Sequence, residues 1–559
     1  MLTLTFVFAL LVFYRLGNAS APQSAYEITS ENPDIILDFG QYLTVEQLDI
    51  YLGNLESRSV TLSTYNEVSK EWEIIGDRNI ISVFQWNKID VYYNLRYLGL
   101  VSTDYDSIFN EIVCLGENGA VISPINIEEY PELFDEQDLY YDTAETTYMN
   151  GTMFDEIYHA RTGYEFVHAL TTYETTHPPL GKCLIALGIR LFGMTPFGYR
   201  FFVAVFGTLF VPLIYCFSKA LFKNTYVSTC TALLFSFDCL HFTLSRIATI
   251  DIFVAFFIVL SYYFMYRYIT EFNLAYTGKD QITGALMPYK VTGFLALSGL
   301  AIGLAIATKL TGVYAGAGLA VIFLFHTFTH YPPKKVGKLA AVSVLFFIIV
   351  PLSIYVLSYI PVVEADYRNI RTIHESQSGL ISKTIRGTVG MIRYHANLNA
   401  THPYMSDFYS WPVGYKPVLI AYNTVSQTAD KSLRSIVYYM GNVAVWWAAI
   451  PCILYVFYIA IAKREKTAML LTVSYLAQYI PWMGVQRCVF LYHYFPSFIF
   501  SVLMMGYAIN SIANRKPALK RLITAYMVVV IITFFLFYPV VSGVPFPYEW
   551  TQKLNRFMS

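Results

Sequence analysis

The sequence predicts a polytopic α-helical membrane protein with an extramembrane β-domain near its N-terminus, and three observations carry that prediction. Hydrophobic residues make up 55% of the 559 and charged residues only 14%, with a mean hydropathy of +0.45, values outside the ordinary soluble range. Apolar windows of about 20 residues, the length a helix needs to cross the hydrocarbon, recur along most of the chain. After the first window comes a long stretch with strand-like alternation instead.

Taken in order, "MLTLTFVFALLVFYRLGNAS" opens the chain with an apolar segment over residues 1–16. It is short for a span and lacks a basic leader; a first transmembrane helix is the preferred reading, and a cleaved signal peptide is the alternative. Residues 22–125 contain "DIILDFG", "LDIYLG", "SVTLSTYN", "EWEIIG" and "YLGLVST", separated by Gly, Asn and Asp turns. This texture predicts an extracytoplasmic β-sandwich of discoidin or jelly-roll type, which binds sugar or serves as a structural insert. Residues 126–150 are acidic and read as a solvated linker. A first outer loop follows over 151–197, with two amphipathic stretches around "THPPLGK".

Windows of spanning length then lie near 198–219, 225–242, 248–269, 293–308, 312–330 and 339–360. A second outer loop, 361–435, is amphipathic in part. Further windows lie near 436–461, 467–485, 489–510 and 521–543, and a tail covers 544–559. With the first helix the count is about 11 spans.

Basic residues in short loops favour the cytoplasm. If the N-terminus is inside, the inner loops carry Lys219 and Lys223; Arg267, Lys279 and Lys290; Lys334, Lys335 and Lys338; Lys463, Arg464 and Lys466; and Arg515, Lys516, Lys520 and Arg521. Both long loops then face outward. The net charge of -1 gives no field that would favour nucleic acid. The seven cysteines are scattered, mostly in apolar segments, with neither a disulfide framework nor zinc spacing.

Phe-Asp-Glu occurs twice, at 134–136 and at 154–156, so an acidic pair alone is a weak signal. The first copy sits among other carboxylates of the linker. The second, Asp155-Glu156, precedes an amphipathic helix, and Asp155 is either the N-cap of that helix or a catalytic carboxylate. Several cations gather on the same side: Lys182 after the stiff Pro178-Pro179 turn, Arg200 at the start of a span, Arg246 in "LSRIATID", Lys309 in "IATKLTG", and Arg487 with His493 in "VQRCVFLYHYFP". Ionisable groups at helix ends within a membrane are costly and usually paired or functional, and a converging set of cations can hold a phosphate. Asp251 reads first as the partner of Arg246. A lone Lys or Arg can also snorkel to the interface, but Arg246 and Lys309 sit in tight turns with little room for that.

The motifs "FDEIYHARTGYEF", "THPPLGK", "FGYRFFVAVFG", "SRIATID", "GLAIATKLTG", "HPYMSDFYSWP", "GNVAVWW" and "RCVFLYHYFPS", in that order over residues 150–510, resemble the protein O-mannosyltransferases and their bacterial relatives. The resemblance implies the GT-C fold and transfer of a hexose, expected to be mannose, from a polyprenyl-phosphate carrier to a hydroxyl. By motif it assigns the general base to Asp155, with Glu156 beside it, and places Arg200 at the donor phosphate. It puts His177, Lys182, Lys309, Arg487 and His493 in family motifs without fixing their roles. Phosphate is already a good leaving group, so one carboxylate base and a set of cations suffice for inverting transfer. No metal or other cofactor is expected.

Three departures stand out. The β-domain intervenes before the acidic loop, Leu310 follows Lys309 where the family commonly has Trp, and no MIR-type lectin domain is recognisable. They point to a prokaryotic enzyme in the plasma membrane with its active site on the extracytoplasmic face. The acceptor is a Ser or Thr of secreted proteins or, in a related enzyme, a lipid or cell-wall glycan; the oligomeric state is left open. The competing class is a polytopic transporter or a glycan-binding scaffold. Ionisable residues at the outer helix ends, rather than at mid-membrane, and the lack of a repeat favour the enzyme.

Overall fold

The computed structural model describes all residues except 54–55, 103–106, 142–146, 276–287, 332, 370–378, 429–430 and 559. Lys279, part of the acidic linker and part of the second outer loop therefore lie outside the described residues, as do the side chains of Lys334, Lys335 and Lys338.

A short apolar helix, α1 (Leu2–Phe13), leads into the β-domain: β1 (Tyr26–Glu27), β2 (Asp34–Leu52), β3 (Arg58–Asn66), β4 (Glu71–Ile80), β5 (Trp86–Ser102), β6 (Ile108–Leu115) and β7 (Val121–Ile122). The sequence texture suggests a two-sheet sandwich, but the strands form one antiparallel sheet in the order β1-β6-β2-β5-β3-β4, with β7 on β6. Side-chain parity along the long strands explains how one sheet encloses a core. In β2 the buried residues are odd-numbered up to Val45 (Ile35, Leu37, Phe39) and even-numbered beyond it (Leu48, Ile50, Leu52). A register shift lies between Val45 and Gln47. In β5 the buried parity likewise changes, from Ile89, Val91 and Leu95 to Leu98 and Leu100. Each change of parity falls at a register shift of the β2–β5 pairing, Val45/Gln47 for β2 and Asp38/Leu43 opposite the change in β5, where paired strands bend, so both halves of each strand face the same interior.

The other face of the sheet joins the main body. Trp86 packs edge-on to Tyr140 at 5.1 Å, and Phe84 lies 4.9 Å from Tyr164. The acidic stretch is thus partly docked against the sheet, through short 3-10 turns from Ile127 to Leu139, rather than freely solvated.

Two amphipathic helices follow, α2 (Glu156–His168) and α3 (Leu180–Phe192), and then α4 (Pro196–Phe222), α5 (Thr225–Ser236), α6 (Cys239–Leu244), α7 (Asp251–Ala275), α8 (Tyr289–Thr308), α9 (Gly312–His330), α10 (Pro333–Val344) and α11 (Val350–Leu357). The second outer region contains α12 (Ile360–Asn369), α13 (Leu380–Asn397) and a hairpin of β8 (Val418–Thr428) and β9 (Lys431–Tyr439). The chain closes with α14 (Val443–Ala462), α15 (Lys466–Tyr479), α16 (Phe495–Arg515), α17 (Lys520–Val541), β10 (Phe546–Pro547) on β9, and α18 (Tyr548–Met558).

Among the described residues, eight helical segments are long and apolar enough to cross a membrane, fewer than the expected 11. The difference has local causes. The 225–242 window breaks at Asp238, whose carboxylate caps α6 through the amides of Leu240 and His241 and also takes Trp446 Nε1 at 2.9 Å and the Asn442 amide at 3.0 Å. A buried carboxylate with four donors fixes a break where hydropathy shows only an apolar run. The 467–485 window stops being α-helical at Tyr479, ahead of Pro481. Helix α1, at 12 residues, spans only about 18 Å.

Candidate active site

The acidic loop is organised by Glu156. Its two carboxylate oxygens receive Arg200 Nε and Nη2, each at 2.7 Å, together with the amides of Ala248 at 2.8 Å and Met153 at 2.7 Å. Arg200 uses its remaining donors on the carbonyls of Leu16, Tyr148 and Gly151, and both side chains are fully buried. Glu156 therefore joins α2, α4 and the turn before α7, and has no lone pair left for chemistry. Arg200, expected at the donor phosphate, faces away from the cleft and is consumed by this pair.

Asp155 has a different environment. It stands at the N-cap position of α2, yet its side chain makes no cap hydrogen bond and its backbone is already helical. The cap reading is thereby corrected. Its neighbour Phe154 adopts a positive φ of 55°, a strained choice for a bulky residue, and its ring is wedged among Tyr439, Phe490 and Tyr492 at 6.2–6.3 Å. The wedge turns the half-buried Asp155 carboxylate into a cleft of about 530 Å³, which it shares with His159, Asp251, Lys309, His402 and Arg487. Burial, the Asp251 charge and Glu174 raise its pKa to about 6, against the lowering effect of Lys309.

Two cations border this cleft. Lys309 sits in extended backbone between α8 and α9, and its Nζ reaches Asp251 Oδ1 at 2.8 Å. Asp251 is thus the partner of Lys309, not of Arg246. Among the described residues Arg487 makes one long hydrogen bond, 3.4 Å to the Cys488 carbonyl, and it lines both the cleft and an adjoining hollow of about 670 Å³ that reaches Tyr314, Asn399 and Trp482. Thr176, His177, Lys309 and His395 form the wall common to the two hollows.

The other expected cations have structural posts. Arg246 donates to five carbonyls, those of Leu11, Val12, Tyr14, Arg15 and Ser542, at 2.6–3.2 Å. It satisfies the open C-terminal end of α1, as the last turn of any helix requires. Lys182 is buried, with its three donors on the carbonyls of Glu174 and His177 and on the Glu174 carboxylate. Burial would raise the pKa of Glu174, but the Lys182 ammonium, His177 and His159 together outweigh it and hold the carboxyl well below its usual range. This pair ties down the Thr176-His177-Pro178 turn, so that His177 rather than Lys182 faces the cleft. His493 is buried and stacked 4.5 Å from Tyr492 at the cleft wall.

The sequence reading passes over Glu174, His159, His395 and His402. One signal for His402 is legible: Thr-His-Pro occurs twice, at 176–178 and at 401–403, and both copies line the cleft. Glu174 has no local signature, because its role depends on burial beside Lys182.

A helical membrane bundle with one unbonded carboxylate and paired cations at a cleft on one end is the layout of a GT-C enzyme that works on a lipid-carried sugar. The comparisons agree. Residues 193–364 match the family described as dolichyl-phosphate-mannose-protein mannosyltransferase, and residues 380–559 match the C-terminal four-transmembrane region of protein O-mannosyltransferase. The chain belongs to the protein O-mannosyltransferase family. It is 26% identical over 420 residues to the polyprenol-phosphate-mannose–protein mannosyltransferase of Corynebacterium glutamicum, covering 68% of this chain and 81% of the relative. It is 26% identical over 445 residues to the enzyme of the same description from Mycolicibacterium smegmatis, covering 70% and 84%. Its fold matches the Saccharomyces cerevisiae Pmt1-Pmt2 complex bound to the sugar donor, with a TM-score of 0.60 at 15% identity over 74% of this chain and 88% of that one.

Proposed function

We propose that this protein transfers mannose from a polyprenyl-phosphate carrier to a Ser or Thr hydroxyl of a protein, at the extracytoplasmic face of the membrane, with Asp155 as the general base. The observation that carries the assignment of the base is the contrast between Asp155 and Glu156. Every oxygen of Glu156 is committed within the protein, whereas Asp155 opens into the cleft beside Lys309 and Arg487 without a protein hydrogen-bond donor among the described residues. A base must reach the acceptor hydroxyl, and its pKa works best near the operating pH. A value of about 6 leaves Asp155 ionised at neutral pH and still able to accept a proton.

In the proposed step the acceptor hydroxyl oxygen attacks the sugar C1 as Asp155 removes its proton. The bond from C1 to the phosphate oxygen breaks, and the electron pair leaves on the phosphate. Lys309 and Arg487 face the growing negative charge, and the adjoining hollow has room for the phosphate and the first part of the lipid. His177 and His395 stand at the wall between the two hollows, where the sugar would lie. Burial keeps His177 below its usual pKa and holds His395 at about 4, so neither adds charge at neutral pH. Placement on the extracytoplasmic face is supported by the basic inner loops, since Lys463, Arg464 and Lys466 lie at the far end of the bundle from the cleft.

The test is transfer from radiolabelled polyprenyl-phosphate-mannose to a pool of secreted peptides, in membranes carrying wild type, Asp155→Asn or Asp135→Asn. Label on peptide that only Asp155→Asn abolishes supports the reading. Donor consumption with label on lipid or glycan would move the acceptor, and no consumption under any condition would remove the donor.

A further inference from the structure

Three helices that lead to the cleft or to its adjoining hollow also meet at the opposite end of the bundle. Helix α7 leads from Asp251 at the cleft past Asn273, and α9 from Tyr314 beside the adjoining hollow to His330. Helix α15 enters at Lys466 and returns the chain to Trp482. Between these far ends lies a second cavity of about 450 Å³, roughly 30 Å from the cleft by helix rise. Its walls include Ile269, Val321, Phe325, Met469 and Val473. Val321 and Phe325 are themselves about half exposed, at 54% and 52%, so the cavity opens sideways toward the lipid.

One residue there is out of keeping with the rest. His326 is 4% exposed and lines this cavity, yet both its ring nitrogens lack a hydrogen-bond partner among the described residues. The buried His241 shows the ordinary arrangement, with Nδ1 on the Phe235 carbonyl and Nε2 on the Gly207 carbonyl. Leaving a buried polar group unmatched is unfavourable, and such groups call for a bound partner. His330 stacks on His326 at 4.6 Å, and its Nδ1 bonds the His326 carbonyl. Lys466, at the cavity mouth, is exposed.

We propose that this cavity binds an anionic, phosphate-headed membrane lipid. The phosphate oxygens accept from His326 and Lys466 and, in its imidazolium form, from His330 Nε2, and an acyl chain lies along the apolar wall toward the bilayer. The charge and donor pattern select a phosphate head, and the apolar, laterally open walls select a lipid over a soluble anion. Basic pockets between transmembrane helices at the cytoplasmic end suit anionic headgroups in this way. The site is separate from the donor site, because its head-end residues are those farthest from Lys309 along the shared helices.

The test is native mass spectrometry of the full chain in detergent with phosphatidylglycerol or phosphatidylcholine added, for wild type, His326→Phe, Lys466→Gln and Val321→Trp. The expected result is retained phosphatidylglycerol over phosphatidylcholine in the wild type. Retention should fall about tenfold in His326→Phe and about fivefold in the surface variant Lys466→Gln. Val321→Trp, which fills the apolar end, should displace the lipid while leaving the polar groups in place. Equal retention of phosphatidylglycerol by wild type, Lys466→Gln and Val321→Trp would overturn the proposal, as would full displacement by inorganic phosphate, which identifies a soluble-anion site.

Discussion

The two Phe-Asp-Glu copies share a sequence and almost nothing else. At 134–136, Asp135 is exposed and accepts Ser24 Oγ at 2.8 Å, while Glu136 accepts the amides of Gln23 and Ser24 at 2.6 and 3.0 Å. Both acids tie the linker to the strand entry, and with Glu111 they form a carboxylate cluster close enough to hold a cation. At 154–156 the two acids are separated in purpose: Glu156 is saturated by an arginine and two amides, and Asp155 is left for the cleft. The lesson is that the environment, not the tripeptide, distinguishes a structural acid from a candidate base. A residue can act on substrate only where its neighbours have not already used its lone pairs.

The contrast breaks most sharply at Asp155, the proposed base. Asp155→Asn keeps the shape and removes the base, so transfer should fall by about 10²–10⁴, whereas Asp135→Asn should leave the rate within about twofold; initial rates on one donor and peptide pool measure both. Next in size is the structural member. Glu156→Ala strands the buried Arg200 guanidinium and should cost about 3–5 kcal/mol, against about 1 kcal/mol for Glu136→Ala, as read from thermal unfolding in detergent. Activity loss without loss of stability in Glu156→Ala would show that Glu156 is not the structural acid described here.

Lys309→Met should raise the donor KM by about tenfold, through loss of one charge-assisted contact to phosphate. It should also move the acid limb of the pH profile to higher pH, since Lys309 lowers the Asp155 pKa. The smallest effect concerns that profile. A base must be ionised, so the wild-type rate should drop as pH falls through about 6. Asp251→Asn removes a charge that raises the Asp155 pKa, so its acid limb should lie at lower pH. A limb that ignores Asp251 but vanishes in Asp155→Asn would keep the base and discard the coupling.

The sequence carried the membrane class, the β-domain and the acidic loop, because hydropathy and two-residue alternation are local properties. What escaped it was pairing across distance. Asp251 sits five residues from Arg246, and proximity in sequence suggested that pair; the partner, Lys309, is 58 residues away. Arg200 and Lys182 read as phosphate ligands because an intramembrane cation announces function without saying which carboxylate or carbonyls it meets. The bend of the β-sheet rests on two register shifts in the β2–β5 pairing, at Asp38/Leu43 and Val45/Gln47, too local to change the alternating texture that signalled strands.

The grip of Arg246 on α1 also bears on biosynthesis. Helix α1 is made well before Arg246, and at 12 residues it is too short to settle stably across a bilayer alone. The guanidinium that closes its last turn comes from a residue 232–235 positions later. Two residues beyond that arginine, the Ala248 amide holds Glu156. The opening helix and the acidic loop must therefore wait for the same turn of nascent chain to arrive. A nascent chain that lacks that turn has neither a secured α1 nor an assembled acidic loop.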